Sequence, residues 1–331
     1  MARTICAMVS FGCNRRQNAF QISNSLIFIA TGVSERVNTY LNYLGLTSWR
    51  KTAHIALSSL GQEAEDNIIA RFAKTKSGEL APLICFDNLD FQQKVHMKSV
   101  GHGNVMFHGT WGYIHSIPSR IIPALNQAEM TTEALNQALH KASKLKIQPA
   151  AFAPTAESTR HFELTLKSQI TRVMLNYIAK PTDTRTPLYK DPPSVLPNDP
   201  DSPDIMMLKL MVASDNSAQG VGEVFTGLIQ QSGLTAQQFH SNLQIIEGNL
   251  GSCNIFDSLR RQRVPGRHDH TSLDNILPIP GAAHTLWNMA QAIFLAHWGE
   301  EKVARNTGAW RTLSALGIPA EKPVTKKDYN L

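Results

Sequence analysis

Pro82-Leu83-Ile84-Cys85-Phe86-Asp87-Asn88-Leu89-Asp90 is a short apolar run that ends in acids. A continuous apolar stretch of this length, bounded by polar residues, reads as a buried strand with carboxylates presented where it stops. Downstream, Lys94 to Lys98 is expected to form a second strand and Ser99 to Asn104 (SVGHGN) a turn. Val105 to His115, rich in Phe, Thr, Trp, Tyr and Ile, is expected to form a third strand. The sum is an antiparallel meander. Gly109 and Gly112 in its last strand point to a bulge or a close backbone approach. Much further on, Leu243-Gln244-Ile245-Ile246-Glu247-Gly248-Asn249 repeats the first pattern, a buried strand ending in polar residues.

Helices surround these strands. Residues 1–78 read as a helical segment, with Ala64, Ile68, Ile69 and Phe72 at helix spacing and Thr47 as a candidate N-cap. Glu35 to Leu44, a turn at Gly45-Leu46-Thr47, and Ser48 to Leu60 outline a helix-turn-helix, with Trp49, Arg50, Lys51 and His54 on the second helix. Two helices joined by a tight turn also occur in most helical domains. Residues 79–331 read as an α/β domain carrying a helical insertion over 120–240. Within the insertion, Thr131 caps one helix. Phe162, Leu166, Ile170, Val173, Met174, Tyr177 and Ile178 form a stripe expected to face a core. A Pro/Asp-rich loop is expected over 179–205, Val221 to Ile229 reads as a helix, and Thr235 with Gln238 forms a capping-box pattern. After the second buried strand come a helix through Ser258 to Arg263, a Gly/His-rich loop, and a long helix from Ala282 to about Trp298. That last helix carries Leu286, Met289, Ala290, Ile293, Phe294 and His297 on one face. The final residues, Lys322 to Leu331, read either as a chain cut off in mid-domain or as a flexible tail.

Composition narrows the function classes. The 331 residues are 42% apolar and 18% charged, which suits one large domain or two modest ones. A net charge of +6 permits a polyanion partner without demanding one. No apolar run approaches the roughly 20 residues of a membrane helix. Arg15 and Arg16 stand where a signal cleavage site would be expected, so an intracellular protein without a membrane anchor is expected. Cys6, Cys13, Cys85 and Cys253 are scattered, which indicates neither a zinc site nor a disulfide framework. There is no P-loop, no G-x-S-x-G and no G-x-G-x-x-G. Gly220-Val221-Gly222 has no buried strand leading into it, so no nucleotide cofactor is expected.

Three groups of residues could carry chemistry. Asp87 and Asp90 at one strand end and Glu247 at the other are candidate oxygen ligands for Mg²⁺, which needs carboxylates converging from separate strands. The alternative is that Asp87 and Asn88 form a turn and satisfy backbone N–H groups. His284, in the first turn of the long helix, is positioned either to meet a phosphate or carboxylate or to anchor the loop before it. Arg260, Arg261, Arg263 and Arg267, with His268 and His270, form a dense basic cluster suited to a phosphate backbone or, equally, to a solvated surface. His96, His102, His108 and His115 do not converge by strand periodicity and read as hydrogen-bonding residues of the sheet and its turn.

Six segments carry a resemblance: ICFDNLDFQQKVH, GNVMFHGTWGYIH, KSQITRVMLNYIA, MLKLMVASDNSAQGVGEV, IIEGNL and PGAAHTLWNMAQAI. From about Ser34 to Leu331 they resemble the fungal domain of unknown function 6589, a family with no established activity to carry over. More distantly, the order of elements resembles DDE transposases of ribonuclease-H-like fold, in which carboxylates from the first and fourth strands and a later helix hold two Mg²⁺ ions. That likeness implies Asp87 as the first acid, Asn249 at the position of the second, and His284 as the histidine that follows. A neutral amide at Asn249 departs from the pattern. Glu247 stands off the expected position, where a strand step is expected to change the face. The third acid is expected beyond Asp328.

The resulting expectation is a mostly helical α/β fold. Its mixed sheet combines an antiparallel meander with a parallel strand, ribonuclease-H-like with a large helical insertion. The expected function is a degenerate, transposase-derived DNA-binding core, nuclear if so derived and inactive as a nuclease. The expected catalytic residues are Asp87, Glu247 and His284, with Asp87, Asp90 and Glu247 around an incompletely ligated Mg²⁺. The competing expectation is a non-enzymatic α/β interaction protein in which Asp87, Glu247 and His284 form a structural polar network.

Overall fold

The computed structural model describes residues 1–95, 99, 101, 103–178, 188–195, 201–264, 266, 268, 271–303 and 305–321. Two units are distinguished along the chain: residues 1–135 with 204–331, and residues 136–203.

The first unit is a mixed five-stranded sheet flanked by helices. Its strands are β1 (Leu83–Gln93), β2 (Val105–His115), β3 (Ile205–Met207), β4 (Gln244–Gly248) and β5 (Ile276–Pro280), in the order β3-β2-β1-β4-β5. Strand β1 pairs antiparallel with β2 in an unbroken register from Leu83–His115 to Gln93–Val105, and β2 pairs antiparallel with β3. Strand β4 runs parallel to β1, with Ile84 opposite Ile246 and Cys85 opposite Glu247, and β5 runs parallel to β4. A mostly helical α/β fold with antiparallel and parallel pairs is thus what the chain forms.

The strands differ from expectation in several ways. Strand β1 does not stop at its acids: Asp87 and Asp90 lie inside the ladder, opposite Trp111 and His108. The antiparallel strand on the far side of β2 is β3, far down the chain, while residues 96–98 of the expected strand Lys94 to Lys98 lie outside the described residues. The run at 276–280, between the Gly/His-rich loop and the long helix, forms strand β5. Its Pro278 and Pro280 are tolerated because β5 is an edge strand, where a missing N–H breaks no second ladder. Gly112 reflects close approach without a bulge: a Cβ there would lie 2.1 Å from the Cys85 carbonyl oxygen.

Helices α1 (Ala2–Cys13), α2 (Ala19–Ala30), α3 (Glu35–Tyr43) and α4 (Arg50–Ala73) precede the sheet. Thr47 is not the cap of α4. It is buried, its Oγ1 donates to the Asn38 carbonyl, and α4 begins after Trp49. Gln21, Ser25, Asn38, Asn42, Thr47 and Ser48 are all buried here, and side-chain-to-backbone bonds tie the α3–α4 turn down, among them Asn42 Nδ2 to Thr47 O at 2.6 Å. Within the turn Gly45 adopts φ 72°, a left-handed conformation that glycine enters without steric cost.

The second unit is largely helical. Helix α5 (Thr132–Ala142) enters it, with Thr131 accepting from the Ala134 N–H, and α6 (Ala156–Tyr177) is its main element, capped by Thr155. The α6 stripe expected to be core is exposed: Phe162 is 66% and Tyr177 82% accessible, and Leu166, Ile170, Val173 and Met174 are exposed as well. Periodicity announces an apolar face but does not supply a partner for it.

The remaining helices return to the sheet: α7 (Ala218–Ser232), α8 (Ala236–His240), α9 (Leu250–Gln262), α10 (Ala282–Ala296) and α11 (Ala309–Ala315). The Thr235/Gln238 capping box forms as the sequence predicts. One apolar core joins Ile68 and Phe72 of α4 and Val221, Val224, Phe225 and Leu228 of α7 to Phe256 and Leu259 of α9. Ile84, Phe86, Ile114, Ile246 and Ile276 supply its sheet side. Helix α10 buries none of its residues among the described residues, so Leu286, Met289 and Ile293, expected to face a core, are exposed.

Candidate functional site

The register that sets Cys85 beside Glu247 sets Asp87, two residues on, beside Asn249 at the end of β4. The two side chains meet: Asn249 Nδ2 donates to Asp87 Oδ1 at 3.1 Å. Asn249 can hold that pose because it is also the N-cap of α9, its Oδ1 accepting from the Ser252 N–H at 2.8 Å, which fixes the amide with its nitrogen toward Asp87. Asp87 Oδ1 further accepts from the Asn88 N–H at 2.9 Å. On the other oxygen, His284 Nε2 lies 3.4 Å from Asp87 Oδ2, and the His284 ring stands edge-on to Trp287 with centroids 5.2 Å apart. The chain thus joins Asp87, Asn249 and His284 in one cluster.

Glu247 does something else. It shares a face with Cys85, Asp87 and Asn249, so the expected change of face does not occur, because Asn249 is two steps away and not one. Its Oε1 accepts from the Ala282 N–H at 2.9 Å, and the Gly281 N–H bonds to the Gly248 carbonyl at 2.7 Å. These bonds dock the start of α10 on the end of β4, where a carboxylate complements the helix N-terminus. They also bring His284, two residues further on, to Asp87. Burial, with the charges of Glu247 and Asp87, pushes the Cys85 thiol up, against a hydrogen bond with Tyr113 that lowers it. Tyr113 is pushed up to about 12, first by that hydrogen bond and then by burial.

Asp90 lies on the opposite strand face from Asp87, and its Oδ1 pairs with His108 Nδ1 at 2.8 Å. Among the described residues, no three His, Cys, Asp or Glu side chains converge on a point where they could hold a metal ion.

Asp215 is the residue that sequence reasoning missed. It lies in the loop before α7, is 1% exposed, and its Oδ2 accepts from the Ser252 hydroxyl. Its Oδ1 is buried with no hydrogen-bond partner among the described residues. Burial, then the Asp87 and Asp90 charges, raise its pKa, against the lowering effect of the Ser252 bond. The available signal was the run Ser214-Asp215-Asn216-Ser217, polar residues that open an apolar helix without an obvious reason for the acid.

Within the basic cluster, Arg260 and Arg263 are engaged by the fold. Arg260 lies 5.7 Å over the Phe256 ring and bonds to Asp257 at 3.0 Å. Arg263 donates to the Thr271 carbonyl at 3.2 Å, and its pKa is lowered by burial. Arg261 is exposed, while Arg267 and His270 lie outside the described residues, as do His96 and His102. In the helical N-terminal segment, Trp49 is exposed at the start of α4.

Residues 106–331 match the family of unknown function DUF6589, and the chain belongs to that family. The matched stretch begins within β2, so it contains Asp215, Asn249 and His284 and not Asp87. No curated protein and no solved structure matches the chain. Among the described residues no helix is long and apolar enough to cross a membrane.

Proposed function

We propose that this DUF6589 member carries a nucleic-acid-binding core of transposase-type, ribonuclease-H-like descent that no longer cuts its substrate. One observation carries the reading. Strands β1 and β4 are adjacent and parallel within the order β3-β2-β1-β4-β5, so the acid of β1 meets the residue that follows β4, and a histidine opening α10 meets that acid. That is the order of parts the transposase resemblance implies, with Asn249 in the second acid's place.

The chemistry follows from charge. A divalent cation bound here would offset phosphate charge and polarise the P–O bond. Asp87 is the half-exposed carboxylate of the cluster, while the Asn249 amide adds no charge and spends its N–H on Asp87. A pair of divalent ions needs more anionic ligands than that, so phosphodiester cleavage is not supported, whereas phosphate contact is. His284 and the exposed Arg261 are the groups that would meet a backbone phosphate. Nuclear residence belongs to the same reading.

Titration of labelled duplex DNA at several salt concentrations tests it. Affinity should fall linearly with the logarithm of salt, and no strand cutting should appear in Mg²⁺. Absence of binding even at low salt would overturn the reading. It would favour an α/β interaction protein whose polar cluster is structural, a view supported by Glu247 serving as the α10 cap and by Asp87 being already hydrogen-bonded.

A further inference from the structure

We propose that the helical N-terminal segment holds a separate ligand site, a pocket for a nucleoside 5′-phosphate, either free or at the end of a nucleic-acid strand. The inference goes beyond the proposed function, since it rests on α1 to α4 and on none of the groups around Asp87.

A cavity of about 450 Å³ opens among the end of α1, the starts of α2 and α4 and the end of α3. Small-ligand pockets commonly span about 300–1,000 Å³. Its apolar lining is aromatic, formed by Phe11, Tyr43 and Trp49. Phe11 is buried, whereas Tyr43 is 82% and Trp49 60% exposed, and neither of the exposed rings meets another aromatic ring among the described residues. Large rings left bare at one cavity are suited to cover a planar base.

The polar lining is Arg15, Asn18 and Asn42, with the hydroxyls of the α4 start. The Arg15 guanidinium stands 4.5 Å over the Phe11 ring, which holds it at the cavity, and it forms no ion pair among the described residues. Asn42 is 8% exposed, and its Nδ2 is spent on the Thr47 carbonyl at 2.6 Å. Its Oδ1 accepts no hydrogen bond among the described residues, so a nearly buried acceptor at the cavity is left for a ligand donor. The N–H edge of a base supplies such a donor. The Asn18 side chain is free as well: it begins α2 without capping it, just as Trp49 begins α4 without capping it. Backbone N–H groups at both helix starts are therefore left without side-chain acceptors, and they favour an anion.

Charge decides the ligand class. Residues 1–62 contain six Lys and Arg against the single acid Glu35, so most of the chain's net charge of +6 arises there. Aromatic walls call for a planar ring and the cationic surroundings for an anion, and a nucleoside phosphate carries both. Arg15 and two helix starts can meet a phosphate without a glycine-rich loop, the motif whose absence led to the expectation of no nucleotide cofactor.

The test titrates the full chain with adenosine 5′-monophosphate by isothermal calorimetry. One saturable site per chain is expected, with adenosine and ribose 5-phosphate each at least tenfold weaker. Arg15→Ala should weaken the nucleotide at least tenfold and bring it level with adenosine. Trp49→Ala should weaken it similarly, and Tyr43→Ala, at the most exposed of the three rings, serves if that variant does not fold. Asp87→Asn should leave the affinity within about twofold. A single-stranded oligonucleotide with a 5′-phosphate is compared with the same strand bearing a 5′-hydroxyl. A gain from the phosphate that Arg15→Ala abolishes identifies a strand end as the source, and equal binding of the two strands identifies the free nucleotide. No saturable nucleotide binding, wild-type affinity in both the Arg15 and the aromatic variant, or ribose 5-phosphate binding as tightly as the nucleotide overturns the proposal. Duplex titration separates the two ideas. Nucleotide binding without duplex affinity leaves this pocket standing and the proposed function fallen, and duplex affinity without nucleotide binding does the reverse.

Discussion

The two faces of the central sheet are built from the same strands and do opposite things. On one face Ile84, Phe86, Ile114 and Ile246 are nearly inaccessible and pack into the core that α4, α7 and α9 share. On the other, Cys85, Asp87, Tyr113 and Glu247 are half-buried or exposed, and α10 meets the sheet through its first turn. Alternation along a strand is the reason, because each step reverses the side chain. The packed face carries the stability of the fold. The open face holds the Asp87 and Glu247 carboxylates, whose charges bear on Cys85.

The sharpest way to break this division is Phe225→Ala. Phe225 is 2% exposed, edge-on to Phe86 at 6.5 Å and tilted against Phe256 at 5.3 Å. Its removal should cost about 3–5 kcal/mol in chemical denaturation. Next comes Asn249→Asp on the open face. The cap on Ser252 survives, since Asp caps as well as Asn, but the bond to Asp87 becomes a like-charge contact. A loss of about 1–3 kcal/mol is expected in chemical denaturation, by the cost of a broken polar contact.

Titration of the open face gives a smaller effect of definite sign. The Cys85 thiol is raised by burial and by the charges of Glu247 and Asp87, so its alkylation at pH 8 should lag well behind that of the exposed Cys6 and Cys13. Glu247→Gln should narrow the lag by removing one of those charges. Because folding raises Cys85 and holds Tyr113 near a pKa of about 12, the folded state keeps its protons longer than the unfolded chain does. Stability should therefore decline as pH rises from the ordinary thiol range into the ordinary phenol range. The smallest effect belongs to Leu286→Ser on α10, where the side chain is 59% exposed. A change within about 0.5 kcal/mol is expected, although the helix reads in sequence as core.

Much of the scaffold was legible. The runs at Leu83 to Phe86 and Leu243 to Gly248 announced β1 and β4 because apolar continuity is a local property, and the capping box at Thr235 announced α8 for the same reason. Strand β5 was missed because its two prolines resemble loop composition, and only its edge position makes them harmless. Strand β3 was missed because three residues give no period to read. Of the cluster, His284 stood out by its place in the first turn of α10 and Asp87 by following an apolar run, although β1 continues past it to Gln93. Asp215 was missed because nothing near it in the chain shows that it is buried or that Ser252 will reach it.

By itself the sequence determined the apolar runs of β1 and β4 and the Thr235 capping box, since each depends on residues within a few positions along the chain. Only the tertiary structure decided which groups meet. Asn249 reaches Asp87 across 162 positions of chain, Glu247 is drawn away to cap α10, and Asp215 loses its water. Pairing and desolvation of that kind come from the packing of distant segments, and no local pattern records them.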